Sequence, residues 1–212
     1  MKIAIFGGTG SVGNRLVPML LAQGHHLTTL TRRPDAAPQG VVVVAGDVAD
    51  AAAVRETLKG ADLVYCLLGA TLKDRSAVRT RGTSVIVEQM KREGVDRMIC
   101  LSSFGAGDSY SALPRLYRWV LAPLILKDML KDHEGQEKIL AQSDLNWTVL
   151  RPVNLSDDPA AGAQCGPTVT FRDRRRPLKV SREDVASCLT TLANDETYRQ
   201  QALWVTGRGT AA

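Results

Sequence analysis

Histidine is scarce in this chain, and its cysteines show no pairing pattern. Three histidines occur in 212 residues, and two of them, His25 and His26, are adjacent. The four cysteines, Cys66, Cys100, Cys165 and Cys188, are scattered without C-x-x-C spacing. Both scarcities argue against a metal centre and against a disulfide frame. Cys66 and Cys100 lie inside apolar runs and read as small core residues in a reducing compartment. No apolar run approaches the ~20 residues of a membrane span. The first residues enter a strand directly, with no charged leader and apolar segment, so no signal peptide is expected and the expected location is cytoplasmic. At 44% hydrophobic and 23% charged residues, the composition is that of a globular protein rather than a disordered one. The length suits one domain with a full core. A net charge of +5 suits an anionic cofactor and substrate as well as nucleic acid, and does not choose between them.

What is present begins with Lys2 to Gly13, KIAIFGGTGSVG. Lys2–Phe6 has the look of a buried strand. It breaks into Gly7, Gly8, Gly10 and Gly13, and a helical pattern follows with Val12, Leu16 and Leu20 on one face. A strand, a glycine turn and a helix start together make an anion site. The first helical N–H groups have no internal partner, and the helix dipole adds positive charge there. Glycine lets backbone approach a pyrophosphate closely. The spacing G-x-x-G-x-x-G differs from G-x-G-x-x-G, but its place between a first strand and an amphipathic helix points to a dinucleotide. Gly7, Thr9, Gly10, Ser11 and Val12 are the expected phosphate-binding residues.

Further along, apolar runs and helical patterns alternate. Strands are expected at Leu27–Thr31, Val41–Ala45 (buried on both faces), Leu63–Leu68, Arg97–Ser102, Trp147–Leu150 and Ala202–Thr206, with a short one at Thr168–Phe171. Helices are expected at Ala51–Leu58, capped by Asp50 and stopped by Gly60, and at Ser76–Arg92, stopped by Gly94. Leu113–Gln142 reads as helical with interruptions at Pro114 and Pro123. A last helix opens at Ser181, with Asp184 three residues on, and runs to about Ala193. Pro18 falls inside the first helix and should bend it. This alternation predicts an α/β fold: one Rossmann-like, doubly wound parallel sheet with helices on both faces. Residues 1–212 are expected to form one NAD(P)-binding domain. Parts of 104–130 and 154–180 would make a small substrate-covering region.

In such a fold, ligands bind beyond the carboxyl ends of the strands. After the second strand stand Arg32 and Arg33, where an NAD site usually carries an acid; two guanidiniums suit a 2′-phosphate and favour NADPH. Asp47, next to Val48, can accept from an adenine amino group, or can cap the helix before Ala51, a role that Asp50 fills better. Leu68, Gly69 and Ala70 put a glycine where backbone passes a ribose. Ser102 and Ser103 offer hydroxyls near the nicotinamide, or form a plain turn. Arg151, Pro152, Val153 and Asn154 make a rigid exit, with Asn154 available to a carboxamide or a substrate, or a plain loop residue.

These segments, with VVVVAGDVAD, YCLLGA, GVDRMICLSS, DHEGQEKILAQSDLNWTVLRP and VSREDVA, resemble the atypical short-chain dehydrogenases of the NmrA-like, NAD(P)-binding group. Within it the chain is most similar to the biliverdin reductase B and flavin reductase branch. The resemblance runs from Lys2 to about Ala193. It implies NADPH as cofactor and hydride transfer to a flat conjugated acceptor such as a flavin, quinone or bilin, flavin being a substrate rather than a bound cofactor. By position, Ser103 matches the family's active-site serine and His133 its histidine near the substrate. Asn154 stands where the branch has a second histidine, which weakens the case for a bilin. The Tyr-x-x-x-Lys pair of alcohol-oxidising relatives is missing: Tyr110 is followed by Pro114 and Tyr117 by Leu121. A conjugated acceptor needs a tuned proton donor less than a ketone does. The alternative is a redox sensor of the NmrA-like type that binds NAD(P) without turnover. A small-molecule acceptor is the expected partner, with no nucleic acid, no membrane and no metal, and with a monomer or weak homodimer as the assembly.

Two stretches stay apart from these assignments. Leu116–Leu130, LYRWVLAPLILKDML, reads as a helix packing on the sheet at the pocket edge, with a lid or a membrane contact as rivals. Arg172–Arg176, RDRRR, reads as a solvated loop.

Overall fold

The computed structural model describes residues 1–70, 76–167 and 177–208. Its strands are β1 (Lys2–Phe6), β2 (His26–Thr31), β3 (Val42–Ala45), β4 (Leu63–Cys66), β5 (Arg97–Leu101), β6 (Asn146–Pro152), β7 (Asn154–Ser156), β8 (Ala163–Gly166), β9 (Lys179–Ser181) and β10 (Gln201–Gly207). The helices are α1 (Gly13–Ala22), α2 (Ala51–Leu58), α3 (Val78–Glu93), the single turn α4 (Ala122–Leu124), α5 (Lys127–Ala141) and α6 (Arg182–Leu192). One sheet of eight strands has the order β3-β2-β1-β4-β5-β6-β10-β8. Every neighbouring pair in it is parallel except β10 with the edge strand β8. This is the doubly wound Rossmann arrangement, with β1 and β4 at the point where the chain changes direction across the sheet.

Alternation along β1 sends Ile3 and Ile5 to one face and Ala4 and Phe6 to the other. On the first face Leu16 and Leu20 of α1 and Val185 and Leu189 of α6 close over the sheet, and Tyr65 donates its hydroxyl to the Leu189 carbonyl at 2.7 Å. On the second face Val54, Leu58, Ile86, Met90 and Leu140 bring α2, α3 and α5 against Cys66, Met98 and Cys100. Each fully buried Leu or Ile contributes about 1.5–3 kcal/mol relative to exposure. Cys66 and Cys100 are fully buried core residues and all four cysteines are free thiols.

Local signals behave as their chemistry dictates. Asp50 accepts from the N–H groups of Ala52 and Ala53 to start α2. The Ser181 hydroxyl accepts from the Asp184 N–H at 2.9 Å and donates to its carboxylate at 2.7 Å, which starts α6. α1 runs through Pro18 to Ala22; Pro18 and Asn14, whose carbonyl loses a partner, both face solvent.

The structure corrects the sequence reading in several places. The valine run is not buried on both faces. β3 is an edge strand paired only to β2, and Val42 and Val43 are 65% and 38% exposed. The span from 113 to 142 is helical with an interruption, but the break falls at 125–126 and not at Pro123: residues 115–124 form one helical run, π-helical over Tyr117–Leu121 and α-helical over Ala122–Leu124, and α5 begins at Lys127. Pro114 precedes that run, and Gly107–Ala112 before it is a 3-10 helix. The outer surface of the span does not pack on the sheet: Leu116, Trp119, Leu124 and Ile125 are exposed. The short strands β7, β8 and β9 were not expected. The proposed strand Thr168–Phe171 and the basic run Arg172–Arg176 lie outside the described residues.

Candidate functional site

The glycines after β1 divide into two kinds. Gly7 has φ +97°, and a Cβ there would strike the Leu67 carbonyl; a Cβ on Gly13 would strike the carbonyl oxygens of Gly7 and Gly8. These two are required by the protein's own packing. A Cβ on Gly10 would press on a single atom, the Gly7 carbonyl oxygen at 3.1 Å, and one on Gly69, beyond β4, would meet none among the described residues. Both positions face a cleft. α1 starts at that cleft without a side-chain cap and without an acid in its first turn; Asn14 and Arg15 give their N–H groups to the Gly10 and Val12 carbonyls, which leaves those of Ser11, Val12 and Gly13 to face an anion.

The cleft has a volume of about 830 Å³ and crosses the carboxyl ends of the central strands. It brings together every residue singled out above. Gly7, Thr9, Gly10, Ser11 and Val12 come from the first loop, Arg32 and Arg33 follow β2, Asp47 and Val48 follow β3, and Leu68, Gly69 and Ala70 follow β4. Ser102 and Ser103 follow β5, Pro152, Val153 and Asn154 close β6, and His133 enters from α5.

At the β2–β3 end, the Arg32 guanidinium stands 3.6 Å from the Asp47 carboxylate, both groups well exposed. The other Asp47 oxygen accepts from the Ala49 N–H at 2.9 Å, so Asp47 holds a local turn, while the cap of α2 is Asp50. Arg33 is fixed through its backbone N–H on the Thr31 hydroxyl at 3.0 Å, and its side chain is exposed.

At the other end, Ser102 donates to Glu137 Oε1 at 2.5 Å. Glu137 also takes two bonds from Arg151, Nε to Oε1 at 3.0 Å and Nη2 to Oε2 at 2.6 Å. Arg151 reaches Asp108 with its remaining nitrogen at 2.7 Å. Burial lowers the Arg151 pKa, but the bonds from Glu137 and Asp108 outweigh it and raise the balance. With its proton committed to Glu137, the Ser102 oxygen offers lone pairs. Ser103 has one weak contact, to the Phe104 carbonyl at 3.3 Å, which leaves its hydroxyl free to turn.

His133 is buried, and its pKa is pushed down to about 3, first by burial and then by the charge of Arg79; Asp132 and Gln136 oppose the shift. It is therefore a neutral imidazole at pH 7 and not an acid catalyst of the imidazolium kind. Its Nδ1 has no hydrogen-bond partner among the described residues. Arg79, at the start of α3, is held by Asp132 at 3.3 Å, with both side chains buried. Asp132 also caps α3, accepting from the Thr80 N–H and hydroxyl at 2.8 Å each and from the Arg79 N–H at 3.2 Å. Burial would raise its pKa; these bonds overcome that and hold the carboxyl below its ordinary value. Asn154 donates to the Tyr117 hydroxyl at 2.9 Å, linking β7 to the 117–121 turn.

The roles of Glu137, Arg151, Arg79 and Asp132 were not recognised from sequence. The available signal was Asp132, His133, Gln136 and Glu137 clustering on the inward face of α5, where an amphipathic pattern calls for apolar residues. Among the described residues no three potential ligands group for a metal ion, and no helix is long and apolar enough to cross a membrane.

A family model for NAD(P)H-binding proteins matches residues 7–196. The chain belongs to this NAD(P)H-binding family. The resemblance to the atypical short-chain dehydrogenases is consistent with that membership, and the chain shares its fold with solved structures. ChuY, an anaerobilin reductase from Escherichia coli, superposes with a TM-score of 0.81 at 25% identity, covering 100% of both chains. A short-chain dehydrogenase/reductase from Veillonella parvula in complex with NADP gives a TM-score of 0.79 at 21% identity, covering 98% of this chain and 94% of that one. By sequence, an uncharacterised Mycobacterium tuberculosis protein, Rv2047c, is 34% identical over 105 residues, 49% of this chain. That match spans only 12% of the relative's length.

Proposed function

We propose that the protein is an NADPH-dependent reductase that passes hydride to a small conjugated acceptor: a flavin, a quinone or a bilin. One observation carries this reading. Among the described residues, a single cleft joins an uncapped helix start and the close-backbone glycines Gly10 and Gly69 to a far end lined by hydroxyls, apolar side chains, Arg79 and His133. The dinucleotide end fits the residues present. The N–H groups at Ser11 and Val12 would take the pyrophosphate, Arg32 and Arg33 the 2′-phosphate, Asp47 and Val48 the adenine, and Gly69 a ribose. When bound, the nicotinamide supplies the hydride.

The rest is the work of this chain. Ser102, its proton held by Glu137, presents lone pairs suited to a carboxamide N–H. Leu113, Pro114, Tyr117, Leu126 and Met129 line the outer part of the cleft and would stack a flat ring and exclude water. Parts of 104–130 and 154–180 would cover it, tied by the bond from Asn154 to Tyr117. Neither cleft-side tyrosine forms a Tyr-x-x-x-Lys pair: Tyr110 commits its proton to the Arg118 carbonyl at 2.9 Å, and Tyr117, which accepts from Asn154 and keeps its own proton, has Leu121 where the pair has its lysine. A delocalised acceptor tolerates this, because orientation supplies much of the rate and water can supply the proton. ChuY, similar across its full length and a bilin reductase by name, supports the acceptor class.

The same missing acid supports a second reading, a sensor that binds NADP(H) without turnover. A primary isotope effect separates the two. With NADPH deuterated on one face of C4, acceptor-dependent oxidation slows; absence of any acceptor-dependent oxidation would leave the sensor.

A further inference from the structure

A guanidinium nine-tenths buried beside an open cleft needs acceptors for its donors, because each donor left dry and unbonded costs free energy. Arg79 falls short of that. Its side chain is 8% exposed, and Asp132 engages Nη1 alone, at 3.3 Å. Nε is buried without a hydrogen-bond partner among the described residues. Asp132 cannot turn further toward it, since its two oxygens already serve Thr80 and the Arg79 backbone. Next to Arg79 stands a second unpartnered donor-acceptor, Nδ1 of His133, and both residues line the cleft. Two buried polar side chains from different helices, α3 and α5, thus present unmet hydrogen-bonding capacity at the same seam.

The seam lies toward the acceptor end. Arg79 and His133 share the cleft wall with Met129 and Leu130 of α5, which runs toward β6, whereas Arg32 follows β2, on the far side of the phosphate loop after β1. Asp132 balances the charge of Arg79, so the seam does not call for a permanent anion. It calls for an oxygen that accepts hydrogen bonds and gains negative charge during reaction.

We propose that Arg79, with the neutral His133 beside it, is the subsite that receives the conjugated carbonyl oxygen of the acceptor. This rests on the reductase reading above. In that reaction the C4–H bond of NADPH breaks and its electron pair and hydrogen move to the acceptor's conjugated system. The displaced π pair collects on the carbonyl oxygen, which takes a proton from water. Arg79 holds the oxygen while the charge builds. It does electrostatically part of what a tyrosine acid does in the alcohol dehydrogenases.

The test measures binding, with the full chain saturated with NADP⁺ so that no hydride is available. Menadione and lumiflavin, which carry conjugated carbonyls and no phosphate or carboxylate, are titrated beside 2-methylnaphthalene, which has a similar ring and no oxygen. Arg79→Met should weaken both carbonyl compounds by about tenfold or more, the scale of a lost charged hydrogen bond. It should leave 2-methylnaphthalene and NADP⁺ within about twofold. Arg79→Lys, which keeps the charge and the partner Asp132, should retain part of the affinity and guards against a fold defect in the methionine variant. The proposal is overturned if neither carbonyl compound binds the wild type, if Arg79→Met leaves them unchanged, if all three ring compounds weaken alike, or if NADP⁺ affinity falls with theirs. Carbonyl binding that depends on Arg79, together with no oxidation of NADPH by menadione or lumiflavin, would sink the reductase reading and leave the subsite standing.

Discussion

Ser102 Oγ lies 2.5 Å from Glu137 Oε1, and the same carboxylate holds Arg151 through two further bonds. The cleft hydroxyl after β5 is therefore oriented by α5 and β6 rather than by its own loop. Removing Glu137 strands Arg151, whose side chain is 10% exposed, with only the exposed Asp108 as partner. Glu137→Ala should lower unfolding free energy by about 3–5 kcal/mol, as expected when one member of a buried ion pair is lost. Glu137→Gln, which keeps shape and some hydrogen bonding, should lose less. Urea denaturation measures both.

The two kinds of glycine predict opposite results. Gly13→Ala drives a methyl into the carbonyls of Gly7 and Gly8 and should destabilise by about 1–3 kcal/mol. Gly69→Ala meets nothing among the described residues and should leave the melting temperature unchanged. Its methyl enters ligand space, so NADPH affinity should fall by about tenfold. Thermal melts with and without NADPH distinguish the pair.

Arg32 and Arg33 stand exposed at the cleft mouth and are not tied to the core. Replacing both by alanine should cost little stability. It should weaken NADPH by about tenfold to a hundredfold, the range for lost charged hydrogen bonds, and NADH hardly at all. Equal losses for both nucleotides would put 2′-phosphate recognition elsewhere.

His133 sets an acid limit. Its pKa is about 3 in the folded chain, against 6.5 for the free side chain. Between these values the unfolded chain binds a proton that the folded one does not. Stability is therefore full above about pH 6.5 and falls as pH drops, by up to about 1.4 kcal/mol per unit. Asp132, its carboxyl held below the ordinary value, adds a further loss at the acid end of that range. His133→Gln should flatten the dependence between about pH 6.5 and 4. Urea midpoints across that range test this; parallel slopes in the two proteins would refute it.

The legible parts of the chain were those fixed by neighbours in sequence. KIAIFGGTGSVG states a strand, a turn and a helix start within twelve residues. Asp50 and Ser181 state helix starts by bonds spanning two or three residues. The edge position of β3 was not legible, because four valines read alike at the centre and the rim of a sheet. Nor were β7 and β9, three residues each, which exist only because they pair with one another. Within the site, the strand-end residues followed from the fold rule. The pairings of Arg79 with Asp132 and of Glu137 with Ser102 did not, since they depend on how α5 settles against α3 and the sheet.

The most direct test of the account is the loss of NADPH absorbance with the purified protein, run in parallel against FMN, menadione and biliverdin, with NADH as control. The account predicts protein-dependent oxidation with at least one of these acceptors, faster with NADPH than with NADH. Tight NADPH binding with oxidation no faster than buffer for all three would contradict it.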